Sequence, residues 1–324
     1  MDAPRQRLCV VTPCFNEAEV IGPFYSELKA VLQSLADLEH QILFIDDGST
    51  DGTLDQLNAL AARDPAVRVY ALSRNFGHQI ALTAGLDAAD ADAVVMMDSD
   101  LQHPPSLIPE MVRLWRQGND VVSAVRRTTA DASPLKSLSS SLFYGLVNRL
   151  SDTRIVPGAA DFCLLSRRAH AALCQLPERH RFLRGMVSWI GYPRTFVEFT
   201  APPRAAGQSK YTLARMMKLA LNATFSFSIV PLRLAAQLGL LAVFLSLVHL
   251  VFILIAWFRE TLVPGWATIV FLVTFLGGVQ LVFIGVLGEY LARIFEEVKQ
   301  RPLYLLKQSP TDPPRPGSSR EPNA

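Results

Sequence analysis

The chain is short of charge. Only 19% of its 324 residues are Asp, Glu, Lys or Arg, 50% are hydrophobic, and the mean hydropathy is +0.24. An ordinary soluble enzyme is more polar, so membrane segments are the first feature to look for. A net charge of +2 leaves no concentrated basic footprint, which argues against nucleic acid as a partner. Cysteine is scarce. Cys9, Cys14, Cys163 and Cys174 form no CxxC pair and no metal-ligand spacing, so neither a disulfide framework nor a thiolate metal site is expected. The start, MDAPRQRLCVVTP, has no long apolar run before a cleavage site, and no signal peptide is expected. No internal repeat is visible.

The missing charge is concentrated late in the chain. Leu234 to Phe258 and Thr261 to Gly288 contain no Asp, Glu, Lys or Arg. About 20 helical residues cross a 30 Å hydrocarbon core, and both runs exceed that length. Arg259-Glu260, with Pro264-Gly265 just beyond, divides them into an expected two-helix hairpin. Arg215, Lys218 and Arg233 precede the first run; Arg293, Lys299, Arg301 and Lys307 follow the second. Basic residues stay on the cytoplasmic side, so a multi-pass protein of the inner (cytoplasmic) membrane is expected, with both termini cytoplasmic. The stretch YTLARMMKLALNATFSFSIVP reads as helices lying in the membrane interface, and the tail from Ser309 as disordered. Gly277, Gly278, Gly285 and Gly288 permit close helix approach, which hints at a homo-oligomer.

Before residue 230 the pattern is different. LCVVTP (8–13), ILFID (42–46), VRVYAL (67–72), AVVMMD (93–98) and DVVSAV (120–125) read as strands buried on both faces. Helical patterns lie between them at 18–36, 51–62, 77–89 and 105–117. Alternation of this kind predicts an α/β fold with a mostly parallel sheet covered by helices. Ligands then bind at the carboxyl ends of the strands. There the first strand offers Pro13, Cys14, Phe15, Asn16 and Glu17, the second DDGSTDGT from Asp46, and the fourth Asp98-Ser99-Asp100-Leu101-Gln102. Several carboxylates gathered at one edge repel one another unless a cation joins them. Mg²⁺ or Mn²⁺ with oxygen donors suits such a set, bridging carboxylates and a substrate diphosphate. Asp98, Asp100 and Gln102 are the candidate metal set. The competing reading of DDGSTDGT is a helix cap and tight turn, and that of His103 is a turn residue before Pro104 begins a helix.

Together, PCFNEAE, IDDGSTDGT, SRNFGHQIALTAGLDAA and MDSDLQHPP resemble the family-two glycosyltransferases with the GT-A nucleotide-sugar fold. The two apolar runs, with GQSKY before them and GEYLARIFEEVKQRPLY after, resemble the polyprenyl-phosphate branch of that family. The resemblance covers about residues 7–305.

It implies a nucleotide-sugar donor, a polyprenyl phosphate acceptor and inversion at the anomeric carbon. Pro13, Asn16 and Glu17 should line the nucleotide pocket, with Asp46 and Asp47 near the base or ribose. Asp98, with Ser99 beside it, should approach the ribose and metal. Arg204 and Lys210, flanking Ser209 in RAAGQSKY, match a basic pair that grips phosphates. Arg126 should bind one phosphate, and Arg181 and Arg184 the lipid phosphate. Asp161 falls where the family places an acid near the acceptor, as a base or an orienting group. The family often carries Arg two residues beyond that acid; here Cys163 stands there.

The expected division is a catalytic domain at 1–210, interfacial helices at 211–230, a transmembrane hairpin at 231–291, a juxtamembrane segment at 292–308 and a tail at 309–324. Three other readings stay open. A processive polysaccharide synthase would carry a QxxRW element, which this chain lacks. A membrane-anchored nucleotide-sugar binder would need no catalysis. A small transporter would explain the hairpin only.

Overall fold

The computed structural model describes residues 5–126, 159–200 and 265–307, together with helical positions scattered from 232 to 258. Two units separate by their internal contacts: the sheet domain together with Arg301–Lys307, and the helical residues that end at Gln300. Arg204, Ser209, Lys210, the stretch 211–230 and the tail lie outside the described residues.

The sheet domain begins with β1 (Arg7–Cys14), α1 (Ile21–Ser34), β2 (Glu39–Asp46), α2 (Thr53–Arg63), β3 (Val67–Ala71), α3 (His78–Ala88) and β4 (Ala93–Met96). A 3₁₀ turn at Pro105–Leu107 leads into α4 (Ile108–Arg116), and β5 (Val121–Arg126) follows. After the undescribed stretch come β6 (Ala159–Ser166), α5 (Arg167–Gln175), α6 (Leu183–Trp189) and β7 (Arg194–Phe199). The seven strands lie in the order β3-β2-β1-β4-β6-β5-β7. β1, β2, β3 and β4 pair in parallel, as do β5 and β7, while β6 runs antiparallel to both β4 and β5.

Both faces of the sheet are buried because both are covered. Leu8, Val10, Ile42 and Phe44 point to the side where Ile21, Phe24 and Leu28 of α1, Leu57 of α2 and Met111 of α4 complete one apolar core. Val11 and Ile45, one residue out of step, face α3, whose Gly85 lets the helix press close: a Cβ there would collide with Val11 Cγ1. A strand buried on both faces is apolar at nearly every position, with Thr12 and Ser123 as buried exceptions, which is why these segments read as almost continuous apolar runs. Polar side chains therefore collect at the strand ends, and the single reversal, β6, brings the start of a strand to the edge where the others finish.

In the second unit, α7 runs unbroken over Trp266–Val298, so the expected boundary at 291 falls inside a helix. Within it, Phe275–Val298 is the one helix among the described residues long and apolar enough to cross a membrane. Its most apolar window is uncovered by protein. The described positions between Leu232 and Phe258 are all helical.

Candidate active site

The loops after β1 and β2 are tied to each other. Asn16 adopts a left-handed conformation (φ 57°). Its backbone N–H donates to Ser49 Oγ at 3.0 Å, and its Oδ1 accepts from the Thr50 N–H at 2.9 Å. Glu17 N–H donates to Thr53 Oγ1 at 2.9 Å, and Ala18 N–H to Asp51 at 3.3 Å. Ser49, Thr50 and Asp51 thus shape the edge rather than reach outward. Asp47 is also occupied: its carboxylate accepts from the backbone N–H groups of Phe76 at 2.7 Å and Gly77 at 2.9 Å. Burial raises its pKa, and those two hydrogen bonds only partly offset this. Asp46 accepts from the Ser49 N–H at 3.2 Å. Its other oxygen is buried with no hydrogen-bond partner among the described residues.

A cavity of about 340 Å³ opens over this edge. Pro13, Glu17, Asp47, Asp98, Ser99 and Asp100, all expected at the site, line it; Asn16, Asp46 and Gln102 are not part of the lining. Ser99 is buried and donates its hydroxyl to the Pro13 carbonyl at 3.2 Å, pinning the end of β4 to that of β1. Asp100 accepts from the Gln102 N–H at 3.0 Å, with Leu101 left-handed (φ 59°) in the turn.

Of the residues that sequence reasoning passed over, His78 lines the cavity, while Gln79 beside it, like Asp161 and Arg184, is outside the lining. His78 Nε2 lies 2.7 Å from Asp98 Oδ1. Burial would raise the Asp98 pKa, but the His78 hydrogen bond and the charges of His78 and Arg184 hold it below the ordinary carboxylate range. Burial acts to lower the His78 pKa, yet Asp98 and Asp161 together raise it. Gln79, the next residue, donates Nε2 to Asp161 Oδ2 at 3.1 Å and accepts from the Leu183 N–H at 2.9 Å. Arg184 binds the same acid in bidentate fashion, Nε to Oδ1 at 2.7 Å and Nη2 to Oδ2 at 3.1 Å.

The β4–β6 register runs from Ala93 with Ser166 to Met96 with Cys163. Continued by two residues, it sets Asp98 across from Asp161. Each acid has its own countercharge, His78 on Asp98 and Arg184 on Asp161. A signal for His78 and Gln79 was available in the sequence, since the third strand ends at the same edge as the other three.

Other expected residues fall elsewhere. His103 is buried, stacks on Phe162 at 5.3 Å between ring centroids, and accepts the Asp98 N–H on Nδ1 at 3.1 Å. It is a packing residue. Arg184 pairs with Asp161. Arg181 is not part of the cavity lining, and its Nε is buried without a hydrogen-bond partner among the described residues. Arg126 ends β5 at the acidic edge with its side chain exposed. Cys163 is buried and its thiol is pushed up to about 12, first by burial, so it is an inert packing group.

No three His, Cys, Asp or Glu side chains among the described residues are already grouped as metal ligands. The chemistry of the lining still suits a hard cation: Glu17, Asp98 and Asp100 present oxygen donors to one space. Glu17 is pushed up to about 7, first by burial and then by the charges of Asp100, Asp51 and Asp98. Such an edge is short of positive charge, and a divalent ion would relieve it.

Fold and site define an α/β domain that gathers acids at the carboxyl edge of a mostly parallel sheet. The model for glycosyl transferase family 2 matches residues 9–173. An uncharacterized glycosyltransferase of Synechocystis sp. is 41% identical over 300 residues, spanning 92% of this chain and 94% of the relative. The SfII prophage-derived bactoprenol glucosyl transferase of Shigella flexneri is 40% identical over 308 residues, spanning 94% and 98%. A mannosyltransferase structure from Pyrobaculum calidifontis, solved with GDP-Man and Mn²⁺, is 20% identical over 68% of this chain and 64% of its own, with a TM-score of 0.46, and nothing about ligands transfers at that level. The chain belongs to glycosyl transferase family 2. It is a glycosyltransferase with the GT-A α/β fold.

Proposed function

We propose that the protein transfers a sugar from a nucleotide diphosphate sugar, a UDP-sugar by preference, to a polyprenyl phosphate such as undecaprenyl phosphate. The transfer takes place at the cytoplasmic face of the inner membrane and inverts the anomeric carbon. The observation that carries the reading is an acid-lined cavity with a buried Asp161 paired to Arg184, in a chain that a bactoprenol glucosyl transferase matches over nearly its whole length. The uncovered apolar helix supports the membrane part, with Leu234–Phe258 as its partner in a hairpin.

Glu17, Asp98 and Asp100 would hold the divalent ion, Mg²⁺ or Mn²⁺, with Gln102 beside them. When bound, the ion supplies countercharge for the departing diphosphate. Pro13 and Ser99 brace the floor of the nucleotide cavity, and Asp47 fixes its wall through the Phe76 and Gly77 amides. Arg204 and Lys210, with Ser209, are assigned to the donor phosphates, and Arg126 and Arg181 to the lipid phosphate.

A phosphate monoester is largely dianionic near neutrality, with a second pKa of about 6. The acceptor therefore needs little help losing a proton; it needs to be held near an anionic donor. Asp161 suits an orienting role better than a basic one, because both its oxygens are engaged by Arg184 and Gln79. A polyprenyl tail leaves the bilayer only at about 0.8 kcal/mol per CH₂, so the enzyme must go to the lipid.

The test is purified full-length protein in detergent with undecaprenyl phosphate and a panel of labelled nucleotide sugars. Labelled lipid formed only when a divalent ion is present is the expected result. Activity that persists in EDTA would remove the metal, and nucleotide-sugar binding without turnover would leave a membrane-anchored binder.

A further inference from the structure

The motif GEYLARIFEEVKQRPLY continues past α7 into Arg301–Lys307, a segment with no part in the chemistry above. In the structure it returns to the sheet domain. β3 is the edge strand, and an edge strand leaves a row of backbone groups unpaired. At its carboxyl end that row is covered. Leu306 bridges Leu72 in antiparallel fashion, Ser73 N–H donates to the Leu305 carbonyl at 2.8 Å, and Lys307 N–H donates to the Ala71 carbonyl at 2.8 Å. Tyr304 donates its hydroxyl to Asp87 of α3 at 3.1 Å, and the Arg179 guanidinium binds the Arg301 carbonyl.

The residues held in this way lead directly into the cavity wall. After Ser73 come Arg74, Asn75, Phe76 and Gly77, and Asn75, Gly77 and His78 line the cavity. From the β2 side the same loop is gripped by Asp47. It is also packed so tightly on Gly48 (φ 70°) that a Cβ there would stand 2.5 Å from the Arg74 carbonyl carbon. The loop thus has two anchors, Asp47-Gly48 on one side and the returning segment immediately before it on the other.

We infer that Arg301–Lys307 is a strap that positions the nucleotide-facing loop 74–77, so that the chain beyond the membrane helix completes the donor pocket without touching the donor. The inference rests on the donor-pocket reading only for its effect on binding; its effect on the loop stands alone.

The decisive comparison is Lys307→Pro against Lys307→Ala in the full-length protein in detergent. Proline removes the N–H that serves Ala71 and keeps residue 306 extended, as the bridge requires. Alanine keeps the N–H and removes only the side chain. Amide hydrogen exchange at Phe76 and Gly77 should be about fivefold faster in the Lys307→Pro protein than in Lys307→Ala, the effect of one net hydrogen bond. UDP, used as the probe, should bind about fivefold more weakly to the proline variant and within about twofold of wild type to the alanine variant. Tyr304→Phe, which removes the hydroxyl bond to Asp87 and none of the backbone bonds of the bridge, should move both readouts in the same direction by less. Exchange at Phe76 and Gly77 that is identical in the two Lys307 variants would overturn the strap. Faster exchange in a protein whose wild type binds no UDP would uphold the strap and sink the donor-pocket reading instead.

Discussion

The two halves of the site are built by different means. On the proposed donor side, β1, β2 and β4 are parallel, and each delivers its acids at or just after its carboxyl end. These loops are laced together by contacts between neighbouring strand ends, such as Asn16 with Thr50 and Glu17 with Thr53. On the proposed acceptor side, Asp161 comes from the beginning of the antiparallel strand β6, Arg184 from α6 and Gln79 from α3. The proposed donor side draws on successive β-α units that pair in parallel, each supplying the loop after its own strand. The proposed acceptor side, which takes its acid from the reversed strand β6, depends on the register of the whole sheet. The contrast teaches that the two substrates should respond separately to mutation.

The largest effect should come from the donor side. Asp100→Ala is expected to lower transfer by on the order of 10³-fold and to abolish the response to added Mg²⁺ or Mn²⁺, with membrane insertion unchanged. A variant that keeps its metal response would detach Asp100 from the ion. On the acceptor side, Asp161→Asn should reduce turnover by about 10²-fold while nucleotide binding, measured by calorimetry, stays near wild type. If both fell together, the halves would not be separable.

Gln79→Glu sharpens the same point. Only an amide can donate to Asp161 with one end and accept from the Leu183 N–H with the other. A carboxylate keeps the acceptor and sets a like charge against Asp161, so kcat should fall about tenfold with little change in the donor KM. An equal change in both constants would make Gln79 a general packing residue.

Gly48→Ala should act on the donor side through strain, costing about 2 kcal/mol of stability and weakening UDP binding; an unchanged melting temperature would show that loop 74–77 can move away. The smallest effect on chemistry is expected from Ile42→Val, in the buried middle of β2. It should cost about 1 kcal/mol of stability and leave transfer per folded molecule unchanged. A loss of turnover there would mean that even the donor side depends on remote packing.

Legibility followed the same division. β1 to β5 and the helices between them were readable to within a few residues, because a doubly buried parallel strand is a continuous apolar run. The acids of β1, β2 and β4 were readable because they follow their strands directly. β6 and β7 were not. AADFCLLS begins with polar and small residues, and an antiparallel strand that inserts between parallel ones leaves no mark in local periodicity. Arg184 was expected to face a lipid phosphate, since a sequence shows the charge but not the acid it pairs with. Asp47 was expected near the nucleotide and lines the cavity, but its oxygens hold the Phe76 and Gly77 amides, a contact between segments some thirty residues apart.

By itself, then, the sequence determined the α/β alternation, the edge at which the acids collect and the uncharged runs near the C-terminal end. Each of these is written in near neighbours along the chain, through side-chain period and the cost of placing charge in an apolar layer. Tertiary structure alone decided that β6 runs backwards, that His78 and Gln79 stand between Asp98 and Asp161, and that Arg301–Lys307 closes the edge of β3. Those outcomes depend on which distant backbone groups find one another when the sheet forms, and hydrogen bonds between remote segments have no signature in local composition.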